Sequence, residues 1–151
     1  MPAITVSTPI GPMTVVSDAG CITAIDWRQT HANDSTPELE EARRQLTAYF
    51  AGSLTEFDLP LRIDASGFQR DVCDQIAAIP HGETRTYGQI AKALGAPAQA
   101  VGSGCGGNPI PVIIPCHRVL GANGLGGFSA KGGVETKVWL LRHEGAAGLL
   151  I

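Results

Sequence analysis

The chain has 151 residues, of which 44% are hydrophobic and 17% are charged, and its net charge at pH 7 is -3. This balance is typical of a folded globular protein and excludes extended disorder. No apolar run approaches the roughly 20 residues that cross a bilayer, and the first residues lack the basic and apolar regions of a secretory signal. We therefore expect a cytoplasmic protein that makes no contact with membranes.

The two parts of the chain differ in charge. Residues 1–61 carry three arginines against eight acidic residues, a net charge of -5, whereas residues 62–151 carry eight lysines and arginines against six acidic residues, a net charge of +2. This asymmetry favours a basic surface for nucleic acid in the second part. The negative charge of the whole chain argues against tight non-specific binding to nucleic acid.

Residues 1–62 are predicted to form a small α/β domain. Short apolar or alternating runs, separated by turns rich in proline and glycine, predict three strands at 4–6, 13–16 and 22–27. Pro37 then opens a helix that Gly52 ends. The extended segment 57–61 follows, and we place the domain boundary just after it.

Residues 63–151 are predicted to form a second, helical domain. Its first helix is expected over 68–79, because Phe68, Val72 and Ile76 recur at a spacing that places them on one face. A core-facing stripe of this kind requires other elements to pack against it.

A helix-turn-helix is predicted next. Thr86 and Gln89 have the spacing of a capping box, which starts a helix that Gly95 ends. After a short turn, Pro97 fits the first position of a further helix. Two short helices joined by a turn that contains glycine are typical of this motif.

The second of these helices is predicted over 98–107, and seven of these ten residues are alanine, glycine or serine. Each helical glycine costs about 1 kcal/mol relative to alanine, so stability alone does not explain the composition. A slender helix would fit the minor groove of DNA, which is only about 6 Å wide. Equally, small residues would allow close packing on a neighbouring helix, and the sequence does not choose between the two.

The four cysteines do not have the spacing of a zinc or redox motif, so we expect free thiols. Cys21 and His31 are the only pairing that suggests zinc, and they lack further ligands. We predict no metal site.

The segment around Cys116 carries the strongest chemical signal. A cysteine is a nucleophile as its thiolate, and His117 and Arg118 would supply a proton acceptor and a positive field that favours the anion. A Cys-His dipeptide alone is weak evidence, because adjacent side chains in an extended chain point to opposite faces. A buried, inert cysteine is the alternative.

Residues 107–119, Gly-Asn-Pro-Ile-Pro-Val-Ile-Ile-Pro-Cys-His-Arg-Val, resemble the active-site signature of the O6-alkylguanine-DNA alkyltransferases, also called methylated-DNA-protein-cysteine methyltransferases. The similarity extends over almost the whole chain. It includes Phe68, Gln69 and Tyr87, and the segments 7–12, 79–84 and 139–145.

This resemblance implies an α+β fold, with a small N-terminal ribonuclease H-like α/β domain and a C-terminal helical domain that contains a winged helix-turn-helix. It also implies a DNA repair protein that flips O6-alkylguanine out of double-stranded DNA and transfers the alkyl group irreversibly to its own Cys116, once per molecule. Such a methyltransferase needs no cofactor, and we expect it to act as a monomer.

The resemblance assigns catalytic roles to five residues. Cys116 would accept the alkyl group, His117 would take its proton through a water, and Glu144 would orient the imidazole. Asn108 would brace the turn that carries the cysteine. Tyr87 would contact the flipped base and donate toward its N3.

The resemblance also assigns contacts with DNA or with the flipped base to a further set, Ala98, Gln99, Gly102, Arg118, Val119, Phe128 and Ser129. Two of these depart from the family pattern, since Gln99 stands where an arginine is usual and Phe128 where a tyrosine is usual. Glutamine lacks the charge and the planar stacking surface of arginine, so affinity or base flipping would be weaker. For Arg118 we prefer an internal brace over a phosphate contact.

Three other functions remain open. A sensor that binds lesions without repairing them would lack the acceptor cysteine, so Cys116 argues against it although Gln99 leaves some room. A cysteine hydrolase would need an oxyanion hole, for which the sequence has no signal. A transcription regulator would need a larger basic surface. His117 as a core histidine and Tyr87 as a packing residue are the structural alternatives.

Overall fold

The computed structural model describes residues 1–126 and 132–146. The chain divides into two compact units, Met1–Asp64 and Ala65–Ile151. Within the described ranges, no helix combines the length and the apolar character needed to cross a membrane.

The first unit is a three-stranded antiparallel sheet with one helix packed on it. The strands pair in chain order. The helix α1 (Pro37–Phe50) follows them, and the Thr36 side chain caps it by accepting a hydrogen bond from Leu39 N at 3.3 Å. Alternate strand residues and one stripe of α1 form the core, which confirms the predicted strands and helix. The elements are β1 (Ala3–Val6), β2 (Met13–Asp18), β3 (Cys21–Asp26) and α1 (Pro37–Phe50).

The second unit is mainly helical. Its only regular strands among the described residues are two short ones that pair in parallel. This pair does not test the predicted wing, which stays a prediction. The elements are α2 (Gly67–Ala77), β4 (Arg85–Thr86), α3 (Tyr87–Leu94), α4 (Ala98–Gly106), a 3₁₀ turn (Cys116–Arg118), β5 (Val119–Leu120) and α5 (Val134–His143).

Helix α2 differs in detail from the prediction. It starts one residue earlier, because Ser66 caps it by accepting from Gln69 N at 3.2 Å, and it ends at Ala77. Val72 and Ile76 are fully buried as predicted, but Phe68 is 39% exposed. Phe68 lies in the first turn of α2 with its side chain exposed, so apolar spacing alone placed it wrongly in the core.

The helix-turn-helix region follows the prediction closely. Thr86 Oγ1 accepts from Gln89 N at 3.1 Å, and Gln89 Oε1 accepts from Thr86 N at 2.8 Å, which completes the capping box. Gly95 ends α3 in the left-handed conformation, with φ of 63°. Pro97 is the N-cap of α4 and not its first helical residue, a shift of one position.

The small residues of α4 serve two different sides of the helix. A Cβ at Gly104 would lie 2.9 Å from Val72 Cγ2, so this glycine allows close packing on α2. On the other side, a Cβ at Gly102 would meet nothing within 4 Å, and Ala98 and Gln99 are exposed. Close packing therefore explains one side of α4, and the other side is left as a slender open surface.

The two sides of α4 should respond oppositely to one added methyl group. We expect Gly104→Ala to lower the free energy of unfolding by about 1 to 3 kcal/mol, because the Val72 side chain must move. Gly102→Ala should raise it by up to about 1 kcal/mol, because alanine favours the helix and meets no neighbour. Urea unfolding of both variants measures this, and equal changes in the two would contradict the assignment of the sides.

Candidate active site

Cys116 follows a tight turn that Asn108 holds from within. Asn108 Nδ2 donates to Ile114 O at 2.8 Å, while Asn108 Oδ1 accepts from Ile110 N at 3.0 Å. Cys116 N then donates to Ile114 O at 2.8 Å. Within this turn Val112 has φ of 72°, a conformation that a β-branched residue rarely adopts. The Asn108 side chain therefore hydrogen-bonds the backbone at both ends of the turn and holds the turn in this conformation.

The cysteine opens a single 3₁₀ turn, Cys116–Arg118, and is only 5% exposed. Successive side chains in such a turn lie about 120° apart, so Cys116 and His117 are not forced to opposite faces as they would be in extended chain. Burial raises the pKa of the Cys116 thiol, while a hydrogen bond from Asn108 and the charge of Lys137 lower it. The thiol is therefore protonated in the resting protein.

Glu144 lies at the centre of a buried polar cluster formed with His117 and Arg118. Glu144 is the C-cap of α5, and its Oε2 lies 2.8 Å from His117 Nε2. Arg118 contacts both carboxylate oxygens, with Nε at 2.8 Å from Oε1 and Nη2 at 2.9 Å from Oε2. Its Nη1 donates to Ile79 O at 2.6 Å. A carboxylate is disfavoured at a helix C-terminus, and this guanidinium offsets the penalty.

Burial and hydrogen bonding together determine which groups of this cluster are charged. Burial raises the pKa of Glu144, but hydrogen bonds from His117 and Arg118 outweigh it and hold that pKa well below its ordinary value. Burial lowers the pKa of His117, which is therefore neutral at pH 7. A neutral imidazole that donates Nε2–H to the carboxylate keeps a lone pair on Nδ1, and this Nδ1 has no hydrogen-bond partner among the described residues.

The charge on Arg118 is used differently from the sequence-based expectation. We expected it to stabilise a Cys116 thiolate, but it is paired with Glu144 inside the protein. Because the Arg118 guanidinium is buried and paired with Glu144, it is not available to contact a DNA phosphate. The assignment of Arg118 to a DNA contact is therefore wrong, and its guanidinium is an internal brace between Glu144 and the Ile79 carbonyl.

Lys137 is a site residue that the sequence analysis missed. Its Nζ donates to Val119 O at 2.6 Å and lies 5.8 Å from the centroid of the Tyr87 ring. The side chain is fully buried, and burial lowers the pKa of Lys137 to about 8. Lysine side chains are rarely buried, so the residue type alone does not predict that Lys137 belongs to the site. The signal was its spacing, because Lys137 lies three and four residues before the buried Leu140 and Leu141.

Tyr87 starts α3 and presents its hydroxyl edge to backbone. A Cβ at Gly126, whose φ is 72°, would lie 2.9 Å from Tyr87 Cε2 and 3.1 Å from Oη, so only glycine allows this approach. Burial raises the pKa of the Tyr87 phenol, which therefore keeps its proton and can donate it. Val119 is fully buried, and its backbone carbonyl accepts the hydrogen bond from Lys137 Nζ.

The remaining predicted residues divide into those on the open side of α4 and those that the structure does not describe. Ala98 and Gln99 are exposed, and Gly102 lies on that open side. Phe128 and Ser129 lie outside the described residues. In the described part of the chain no three histidine, cysteine or acidic side chains group as a metal site requires.

The buried histidine makes stability depend on pH. Below the ordinary histidine pKa of 6.5 the unfolded chain binds a proton at His117 that the folded protein does not bind, so the free energy of unfolding should fall as the pH drops from about 7 to 5. This contribution approaches about 1.4 kcal/mol per pH unit. In His117→Gln the slope should be shallower. Urea unfolding at several pH values measures the slope, with the exposed His31→Gln as the control, and equal slopes in wild type and His117→Gln would contradict the assignment.

Two protein-family models match the chain. The model of the 6-O-methylguanine DNA methyltransferase, ribonuclease-like domain, matches residues 3–63. The model of the 6-O-methylguanine DNA methyltransferase, DNA binding domain, matches residues 67–146. These matches confirm the ribonuclease-like nature of the first domain and the DNA-binding nature of the second.

Curated relatives and solved structures agree. A methylated-DNA-protein-cysteine methyltransferase of Methanosarcina acetivorans is 43% identical over 149 residues, covering 91% of this chain and 94% of the relative. The Mycobacterium tuberculosis O6-methylguanine methyltransferase structure has a TM-score of 0.85 and 42% identity, covering 95% of this chain and 92% of that one. The structure of Mycobacterium tuberculosis OGT in complex with DNA has the same TM-score and identity, covering 96% and 93%. The chain therefore belongs to the 6-O-methylguanine DNA methyltransferase family.

Proposed function

We propose that this protein repairs double-stranded DNA by taking the alkyl group from O6-alkylguanine onto Sγ of its own Cys116. The observation that carries the proposal is the pairing of a buried thiol with an adjacent neutral histidine whose Nδ1 is open to accept a proton. The names of the curated relatives, which are cysteine methyltransferases, and the relative crystallised with DNA support it.

The transfer is a displacement at the alkyl carbon. O6 lies inside the base stack, so the nucleotide must first rotate out of the duplex. The Cys116 thiol loses its proton, through a water, to Nδ1 of His117, and sulfur forms a bond to the alkyl carbon as the bond from carbon to O6 breaks. The electron pair of that bond goes to the guanine, which gains a proton. The thioether is stable, so each molecule acts once.

The buried cluster stabilises the proton on His117. Glu144 is already ionised and is held through both oxygens by Arg118, so it need not reorganise when the imidazole becomes positive. Because burial keeps the resting thiol protonated, the thiolate forms only as the histidine takes the proton. When sulfur attacks, the negative charge passes from the thiolate to the leaving guanine, and the separation of charge ends when the guanine gains a proton and His117 releases its own. In this scheme Arg118 positions Glu144, and Glu144 orients His117.

Tyr87 and Lys137 act on the guanine side. Tyr87 keeps its proton because of burial, and we assign it the donation toward N3 of the leaving base. Lys137 fixes the carbonyl of Val119, whose backbone, with those of Cys116 and Ser129, is assigned to the guanine edges. Its buried positive charge also favours the negative charge that develops on the leaving guanine.

The open side of α4 is the proposed DNA-binding surface. Ala98 and Gly102 leave the helix narrow there, as a minor groove of about 6 Å requires. Gln99 would hydrogen-bond the partner base left by the flipped nucleotide. All the residues of the site fall within 63–151, so we assign the reaction to that part of the chain, acting as a monomer.

Intact mass measures the proposed reaction directly. After incubation with a duplex that contains one O6-methylguanine, the wild-type mass should rise stoichiometrically by about 14 Da, because methyl replaces hydrogen on sulfur. Cys116→Ser should gain nothing. Cys105→Ser should still gain the methyl group, since burial raises the pKa of Cys105 to about 12 and its neighbours in the chain, Gly104 and Gly106, carry no base.

The same experiment separates repair from lesion sensing. Wild-type protein that binds the lesion duplex more tightly than plain duplex, yet gains no mass, would be a sensor. His117→Gln and Glu144→Gln should both reach the mass gain more slowly than wild type, by roughly 100-fold or more for the histidine that acts as general base. An unchanged rate in both would rule out the proposed path of the proton.

The departure at Gln99 gives a separate prediction. Gln99→Arg should bind lesion duplex more tightly, because it adds a positive charge and a planar stacking surface at the tip of α4. The affinity should also become more sensitive to salt, which a change in hydrogen bonding alone would not cause. Fluorescence anisotropy at several salt concentrations measures both, with the exposed His31→Arg in the other domain as the charge-matched control. Equal effects of the two substitutions would show that position 99 has no special contact with DNA.

A further inference from the structure

We propose that Gln69 is a positioning residue for the alkyl transfer, because its side chain anchors the end of α4 at the point where the chain enters the turn that carries Cys116. This inference rests on the proposed function. It assigns to α2 a part in the reaction that neither the resemblance nor the site described above gives it.

The first observation concerns a backbone carbonyl at the end of α4. The last carbonyl groups of a helix lack partners within the helix. Here Gly107 N donates to Ser103 O at 3.0 Å and Asn108 N donates to Cys105 O at 3.3 Å. The carbonyl of Gly104 lies between them, and Gln69 Nε2 donates to it at 2.7 Å. A side chain of α2 therefore caps the C-terminus of α4.

The second observation is that the chain is shaped around this side chain. A Cβ at Gly107 would lie 2.8 Å from Gln69 Oε1, so any larger residue there would displace the amide. One turn along α2, Val72 fills the space left by Gly104. Gln69 is itself fixed, since its backbone N–H is capped by Ser66 and its Nε2 also lies 3.5 Å from Cys73 Sγ.

The end of α4 that Gln69 anchors lies directly before Asn108, the residue that holds the turn of Cys116. Asn108 directly follows Gly107, and its side chain bonds both Ile110 N and Ile114 O. Asn108 also lowers the pKa of the Cys116 thiol against the effect of burial. A shift of the end of α4 would move Asn108 and loosen both bonds.

Two consequences follow for the reaction. The open side of α4 is the proposed DNA-binding surface, so a loosened α4 should bind the lesion duplex less tightly. A weakened bond from Asn108 should make the Cys116 thiol harder to ionise. Gln69 thus couples the position of the DNA-binding helix to the reactivity of the cysteine, although it touches neither the base nor the sulfur.

The test uses Gln69→Leu and Gln69→Glu in the full chain. Leucine removes the donor, and glutamate keeps the length of the side chain but places a second acceptor against the Gly104 carbonyl. The matched control is Gln75→Leu, since Gln75 is a half-buried glutamine on the same helix. Single-turnover kinetics with protein in excess over an O6-methylguanine duplex give the active fraction, the limiting rate and the protein concentration at half that rate.

For both Gln69 variants we expect an unchanged active fraction. The limiting rate should be lower and the half-saturating concentration higher by roughly 3-fold each, so that their ratio falls roughly 10-fold, the size expected for one lost hydrogen bond. The pH profile of the limiting rate should move to higher pH. Gln75→Leu should resemble wild type. A purely structural role for Gln69 would lower the active fraction alone, and near-normal kinetics of Gln69→Glu would indicate packing; either result would overturn the inference.

Failure of the proposed function is recognised separately. If wild-type protein takes no methyl group from the duplex, the function is wrong. Alkylation of Cys116 by iodoacetamide, measured on its peptide over a range of pH, still tests the anchor without DNA. The profile of Gln69→Leu should then lie at higher pH than that of wild type and of Gln75→Leu. Coincident profiles would refute the role of Gln69.

Discussion

The buried carboxylate of Glu144 is the constraint on which the second unit of the structure depends. An ion removed from water costs several kcal/mol unless its oxygens are satisfied, and removal of one partner from such a pair costs about 3 to 5 kcal/mol. Arg118 and His117 satisfy this carboxylate, and Arg118 also bonds Ile79 O beyond the end of α2. One cluster thus joins α5, the segment after α2 and the 3₁₀ turn of the cysteine. The interactions that hold these elements together also set the protonation of the histidine.

The second constraint is close backbone approach. Gly104 lets α4 pack against Val72, and Gly126 lets the loop after β5 contact Tyr87. Helical glycine weakens α4 intrinsically by about 1 kcal/mol per residue, so this helix depends on tertiary contacts for its position. A helix with weak intrinsic preference is placed by what caps and supports it. The hydrogen bond from the Gln69 amide to the Gly104 carbonyl therefore has a large effect on the position of α4.

Charge is distributed differently from what a count along the chain indicates. The basic excess of residues 62–151 includes Arg118 and Lys137, and both are buried. Neither supplies the long-range attraction that steers a protein to DNA. Their charges act inside the site instead, where the low dielectric constant strengthens electrostatic interactions. In the proposed function, recognition of the duplex therefore depends more on the shape of α4 and on the flipped base than on a positive surface.

The sequence by itself determined the elements governed by local rules. The capping box at Thr86, the left-handed Gly95, the strands of the first unit and the residues next to Cys116 are all readable because each depends on neighbours within a few positions. Tertiary structure alone decided which groups met across the chain. It paired Arg118 with Glu144 and not with phosphate or thiolate, buried Lys137, exposed Phe68 and brought Gln69 to Gly104. These outcomes depend on packing between distant segments, where burial changes what a charge or an amide can do. Of them, only the burial of Lys137 has a local signal, its helical spacing to Leu140 and Leu141.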